Sequence, residues 1–247
     1  MKRNSVMDTQ QFNLLATVSH ELRTPLNAIA GWVQLLRSKR LDEAKSAYAF
    51  KVIEQSIKAQ AILISDLMDV CRIINGQFRL QMQEVDIETI IKSAVDDLQP
   101  LAEEKRLQVS VNRISKMSRV AADPFRLQQV VWNLLSNAIK FTPACGSVCV
   151  ELNCNDSDLE IKVTDSGQGI ELEFLPFVFD RFRQAENTAS DRKAGLGLGL
   201  AIVREIVSLH HGSISAYSEG LGRGAAFNIR LPLKAAEPPG SKTRSDN

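Results

Sequence analysis

Phe12 to Leu36 reads FNLLATVSHELRTPLNAIAGWVQLL. Within it Phe12, Leu15, Ser19, Leu22, Leu26, Ile29, Val33 and Leu36 are spaced alternately three and four apart, and all but Ser19 are apolar. A second register runs through Phe50, Ile53, Ile57, Gln60, Ile64, Leu67, Cys71 and Ile74. A repeat of about 3.5 residues is the signature of supercoiled helices. Lys39 to Ser46 is a charged connection, so the two stripes predict an antiparallel helical hairpin. Apolar residues beside each stripe (Leu14, Val18, Leu35, Ile62, Leu63, Met68, Val70) make the surface wider than one partner helix can cover. Two hairpins forming a four-helix bundle, hence a homodimer, would bury it. A hairpin packed on the rear half of its own chain is the other solution.

Composition sets the outer limits. The 247 residues allow one large domain or two modest ones. Lys+Arg number 30 against 29 Asp+Glu, for a net charge of +1, so neither a basic nucleic-acid footprint nor an acidic tail is present. No stretch without a charge is longer than Leu127 to Ile139, which is too short and too polar to span a membrane. The N-terminus lacks the apolar centre of a signal peptide. Cys71, Cys145, Cys149 and Cys154 form no CxxC pair, so they are expected to be free, buried or half-buried thiols in a reducing cytoplasm. Only Gly31 and Gly76 precede residue 146, while 11 of the 13 glycines lie from Gly146 onward. Long helices tolerate few glycines and phosphate loops use many, so a helical front and a mixed α/β rear are expected.

In the rear, Asp86 to Lys105 reads as a helix interrupted near Pro100, and Leu107 to Asn112 as a strand. Asp123-Pro124 starts a helix that should stop at Phe141, before Thr142-Pro143. Ser147–Asn153 pairs with Leu159–Thr164, Gly199–His210 is helical, and Ser213–Ser218 pairs with Ala225–Leu233 around Gly220, Gly222 and Gly224. Hairpins interleaved with helices predict a layered α/β sandwich, not a doubly wound sheet. Residues 235–247 are expected to be a disordered tail.

His20 stands one step past the seam and should face solvent. Glu21 could hold or deprotonate its imidazole. Pro25 removes the backbone bond to the Glu21 carbonyl, and Thr24 adds a hydroxyl on the same face. A deformed helix beside an exposed imidazole suits a mobile nucleophile. The stretch SHELRTPLNAI, Ser19 to Ile29, closely resembles the phospho-acceptor box of sensor histidine kinases. That resemblance implies that His20 is phosphorylated, that Glu21 is the base, and that Thr24 positions water when the partner regulator is dephosphorylated.

Three further clusters follow. Asn133, Asn137 and Lys140 share one face of the Asp123-capped helix; amide oxygens are hard ligands suited to Mg²⁺, though buried amides can also be plain core. Asp165-Ser166-Gly167-Gln168-Gly169-Ile170 follows a strand, with glycines for a tight turn and close backbone approach to a ligand. Gly195, Gly197 and Gly199 lead into a helix, a ready anion site that is neither a dinucleotide fingerprint nor a P-loop. Gln184 to Ala194 reads as a mobile lid, with Phe177, Phe179 and Phe182 either anchoring it or lying in the core. In this order NLLSNAIKFTP, DSGQGI, FDRFRQ and GLGLGLAIV resemble the N, G1, F and G2 boxes of the histidine-kinase ATP-binding domain, the Bergerat fold shared with gyrase, Hsp90 and MutL. The resemblance covers about residues 8–233.

The resemblance implies a fold of class α + α/β: a dimerisation and phosphotransfer domain at 8–76 and an ATP-binding domain at 77–234. It implies Mg·ATP bound by Asn133 (metal), Asn137 and Lys140 (phosphates), Asp165 (adenine amino group) and the Gly167, Gly169, Gly195, Gly197 and Gly199 backbones. Ala194 departs from relatives that carry another Gly there. Relatives that hydrolyse ATP use a Glu where this chain has Asn133, and an amide cannot act as a general base. The expected activity is therefore autophosphorylation of His20 from Mg·ATP, then transfer to an Asp of a response-regulator receiver domain. A GHKL-type ATPase and a non-catalytic dimeric scaffold are the rival readings. An unknown sensor or input partner and a cytoplasmic location complete the expectation.

Overall fold

The computed structural model describes residues 2–38, 41–114, 119–155, 157–184 and 196–233, and for residues 2–17 the backbone alone. The chain divides into two compact units, Met1–Phe78 with Asp180–Gly199, and Arg79–Phe179 with Leu200–Asn247. The expected tail at 235–247 lies outside the described residues, as does the expected lid at 184–194 beyond Gln184.

The first unit holds the hairpin. Helix α1 runs Lys2–Arg37 and α2 runs Glu43–Ile74. The connection is shorter than the charged run suggested. The Asp42 side chain accepts from the Lys45 N–H at 2.7 Å and starts α2 inside that run. At the other end Gln77 N–H donates to the Arg72 carbonyl at 2.9 Å and Gly76 N–H to Ile73 at 3.1 Å. Gly76 takes φ 64, the left-handed stop that glycine permits. The Trp32 and Tyr48 rings meet edge to face at 5.5 Å. α1 continues unbroken through Pro25.

The heptads divide into two sets. Leu22, Ile29 and Leu36 on α1, and Ile53, Gln60 and Leu67 on α2, are half-buried. Leu26, Val33, Phe50, Ile57 and Ile64 stay between 41 and 62 % exposed. One stripe is thus closed within the hairpin and the other is open. No described helix is long and apolar enough to cross a membrane.

The second unit contains β1 (Gln83–Asp86), α3 (Ile87–Glu104), β2 (Gln108–Arg113), β3 (Arg119–Ala122), α4 (Pro124–Phe141), β4 (Ser147–Cys154), β5 (Asp158–Asp165), α5 (Gly199–Leu209), β6 (Ser213–Tyr217) and β7 (Ala225–Pro232). Five strands form one sheet in the order β2-β4-β5-β7-β6. β2 lies parallel to β4 and every other pair is antiparallel. Alternate residues such as Val150, Ile161 and Ile229 are fully buried on one face, with Leu134 of α4 and Ile202 of α5 equally buried. The other face is polar, with Lys162–Glu151 at 3.0 Å and Arg230–Glu160 at 3.3 Å. Helices on one side and ion pairs on the other make the layered sandwich.

Several expectations are corrected. α3 is not interrupted at Pro100. Pro100 frees the Asp96 carbonyl, but both residues lie on the exposed face, where water can take that bond. β1 and β3 pair antiparallel, Val85 opposite Val120, where no strand was expected. The cysteines are free, but Cys71 and Cys145 are exposed rather than buried. Phe179 is half-buried and edge-on to the buried Phe227 at 6.2 Å, whereas Phe177 is exposed at the surface.

Candidate functional site

In the first unit, α1 presents His20 to solvent, its side chain 78 % exposed. Its Nδ1 is 3.5 Å from Glu21 Oε1, while the Glu21 side chain is itself only 26 % exposed. A proton on Nδ1 directed at this carboxylate leaves the Nε2 lone pair outward. The Thr24 hydroxyl donates to the His20 carbonyl at 3.1 Å, so it lies one turn along on the same face. The three residues singled out on this helix are therefore neighbours.

In the second unit, Asp123 fixes the start of α4. Its carboxylate accepts from Arg126 N–H at 3.2 Å and from Gln81 N–H at 2.8 Å. Its own N–H donates to Nε2 of His210 at 3.0 Å, and Nδ1 of that ring faces the Ile206 carbonyl at 2.8 Å. Both contacts are met by a neutral imidazole with the proton on Nδ1. Burial pushes the His210 pKa down, which favours that form. α4 then carries Asn133, 9 % exposed, and Asn137 and Lys140, both half-buried. Lys140 Nζ lies 5.0 Å from the centroid of the Phe141 ring.

The loop after β5 is tied to the end of α4, because Gln168 N–H donates to the Phe141 carbonyl at 3.1 Å. Asp165 turns a carboxylate oxygen back to accept from Gly167 N–H at 2.8 Å. Burial pushes its carboxyl above the usual range, and the N–H groups of Gly167 and Ala225 pull it back in part. The glycines are also required by the fold itself. A Cβ on Gly167 would stand 2.7 Å from the Phe141 carbonyl oxygen, and one on Gly169, where φ is +71, 2.0 Å from that of Gly220. The close approach they permit is to the chain's own backbone. Ser218, which no motif marked, completes the brace: its hydroxyl accepts from Ile170 N–H at 3.0 Å and donates to the Gly224 carbonyl at 2.7 Å.

The third cluster is described in part. Gly195 lies outside the described residues. Gly197, at φ +67, accepts from Phe182 N–H at 3.0 Å, and a Cβ on it would meet the Arg183 carbonyl at 2.7 Å. Gly199 opens α5. Two amides and an ammonium on one helix, beside a half-buried carboxyl on a braced loop, suit a metal-bound nucleotide in donor chemistry: hard oxygens and a cation for phosphates, an acceptor for an amino group.

Comparison with known proteins places these features in a family. Residues 10–76 match the His Kinase A (phospho-acceptor) domain. Residues 122–235 match the histidine kinase-, DNA gyrase B- and HSP90-like ATPase family. The hybrid signal transduction histidine kinase D of Dictyostelium discoideum is 35 % identical over 87 % of this chain and 17 % of its own length. The autoinducer 2 sensor kinase/phosphatase LuxQ of Vibrio cholerae serotype O1 is 38 % identical over 91 % of this chain and 26 % of its own. The chain thus spans about a quarter or less of the length of these curated relatives. Full-length ShkA, solved in complex with AMPPNP, superposes with a TM-score of 0.66 at 30 % identity, covering 92 % of this chain and 47 % of ShkA. A phospho-acceptor domain followed on one chain by this ATPase domain makes the protein a member of the sensor histidine kinases, corresponding to their catalytic core.

Proposed function

We propose that the protein autophosphorylates His20 from Mg·ATP and passes the phosphoryl group to an aspartate of a response-regulator receiver domain. The observation that carries this reading is the solvent-facing His20 imidazole with Glu21 Oε1 3.5 Å from Nδ1. In the transfer, Nε2 forms a bond to the γ-phosphorus, the bond to the bridging oxygen breaks, ADP leaves, and the Nδ1 proton passes to Glu21. Asn133 is assigned to the metal, Asn137 and Lys140 to the phosphates, Asp165 to the adenine amino group, and the backbones of Gly167, Gly169, Gly195, Gly197 and Gly199 to nucleotide contact. Bound Mg²⁺ supplies charge neutralisation on the phosphates. Thr24 is assigned to positioning water when the partner regulator is dephosphorylated.

The domains in this reading are 8–76 for dimerisation and phosphotransfer and 77–234 for ATP binding. The open heptad stripe of Leu26, Val33, Phe50, Ile57 and Ile64 supports a homodimer closed as a four-helix bundle. The reading also includes an input partner and a cytoplasmic location, where ATP is supplied.

Incubation with γ-labelled ATP and Mg²⁺ tests the reading. The expected product is acid-labile, base-stable label on wild-type protein and none on His20→Ala. ATP binding without label refutes the kinase reading, and steady turnover unaffected by His20→Ala assigns an ATPase instead.

A further inference from the structure

The last four carbonyls of a helix have no partner inside it. At the end of α4 each finds one elsewhere. Ala138 accepts from the Thr142 N–H at 3.0 Å and from its hydroxyl at 2.6 Å. Phe141 accepts from Gln168 N–H at 3.1 Å. The two between them, Ile139 and Lys140, both accept from the Lys105 ammonium, at 2.8 and 2.7 Å. A further bond from the same nitrogen goes to the Thr142 carbonyl at 2.9 Å. An ammonium has three N–H donors, and three carbonyls surround this one. The Lys105 carbonyl meanwhile accepts from Cys145 N–H at 3.0 Å. The residue that caps α3 therefore grips the 139–145 segment with side chain and backbone together.

We propose that Lys105 is a positioning residue for the nucleotide site. The inference rests on the nucleotide reading above. The turn it closes carries Asn137 and Lys140 on one side and, through Phe141 and Gln168, the Asp165 loop on the other. A cation at a helix C-terminus also opposes the partial negative charge there. Without it three half-buried carbonyls lose a charged partner, the last turn of α4 loosens, and the phosphate-side and base-side groups lose their fixed spacing. Arginine is no substitute, because a planar fork cannot aim donors at carbonyls converging on one point.

The experiment compares Mg·ATP affinity, by titration calorimetry on the whole chain, for wild type, Lys105→Met, Lys105→Arg and Leu231→Ala. Leu231 is buried and pairs with Leu159, at the end of the sheet away from the Asp165–Ala225 pair, so its truncation costs stability without touching the site. The expected result is a loss of roughly tenfold or more in affinity for both Lys105 variants and under about twofold for Leu231→Ala. Lys105→Arg keeps the charge and serves as the folded variant if Lys105→Met does not fold. Wild-type affinity in Lys105→Arg, or equal losses in Leu231→Ala, overturns the inference while leaving the nucleotide reading intact. Absence of binding by wild type overturns both.

Discussion

Ile57→Glu is the sharpest probe of the open stripe on the hairpin. Leu26, Val33, Phe50, Ile57 and Ile64 are each 41–62 % exposed, so closing the stripe removes about half of each side chain from water. Full burial of such a side chain contributes ~1.5–3 kcal/mol, so half is worth about 1 kcal/mol. Two hairpins related by a two-fold axis each present the same side chains, giving a gross gain on the order of 10 kcal/mol. Association itself costs roughly 4–15 kcal/mol, so the net margin is thin. Symmetry makes any seam substitution count twice. Ile57→Glu forfeits about 1 kcal/mol per copy and places a carboxylate in the closing surface, which costs a further ~1–3 kcal/mol each. The sum is roughly 4–8 kcal/mol, at least a thousandfold in the dimer dissociation constant. Sedimentation equilibrium over a concentration series measures it. Gln55→Glu, an exposed position on the far side of the heptad, brings the same charge and should leave the constant almost unchanged. A dimer equally stable in Ile57→Glu, or a wild type monomeric throughout the series, refutes the reasoning.

Three other outcomes follow from the geometry. Gly169→Ala must hold φ +71 at ~1–2 kcal/mol and push its Cβ off the Gly220 carbonyl oxygen, 2.0 Å away, so denaturant unfolding should show a loss of ~2 kcal/mol or more together with weakened nucleotide binding. His210 is neutral when folded and more readily protonated when unfolded, so its contribution is complete above the ordinary histidine pKa and declines as pH falls below it. His210→Gln should flatten that acid limb of the stability curve, and an unchanged limb contradicts a ring held neutral by burial. Asp66 on α2 is pushed up to about 6 by burial and by the charge of Asp69. Its folded form is the better proton acceptor, so its contribution is greatest below the ordinary carboxyl pKa and is lost as pH rises through about 6. Asp66→Asn should stabilise the hairpin at neutral pH by ~1–3 kcal/mol, read from urea midpoints, and have little effect in acid.

The parts legible in the sequence are those written in local periodicity. The heptads gave the hairpin, and Asp123-Pro124 gave the start of α4 at the residue where the structure begins it. Paired alternating stretches gave β4 with β5 and β6 with β7. What stayed hidden depends on partners distant in sequence. β1 and β3 are four residues each, and Val85 is the single buried side chain of β1, so neither has a pattern to read. Lys105 looks like any helix-ending lysine because its acceptors are backbone carbonyls 34–37 positions away. His210 stood in a pair with His211 and carried no motif, yet its ring receives the N–H of Asp123 across the fold. The candidate residues were found by type and spacing. That Gly167 and Gly169 pack against Phe141 and Gly220 was not legible, because a sequence cannot distinguish a backbone that approaches a ligand from one that approaches itself.

That distinction bears on regulation. The loop proposed to recognise the base is held to its own chain at Phe141, Gly220 and Gly224. Its fit to adenine is then the same whether two phosphates follow or three. In the proposed reading ADP would then enter the same site, and phosphorylation of His20 would fall as ADP accumulates around the enzyme rather than follow the amount of ATP alone. ADP that fails to compete with ATP in the labelling assay would contradict this.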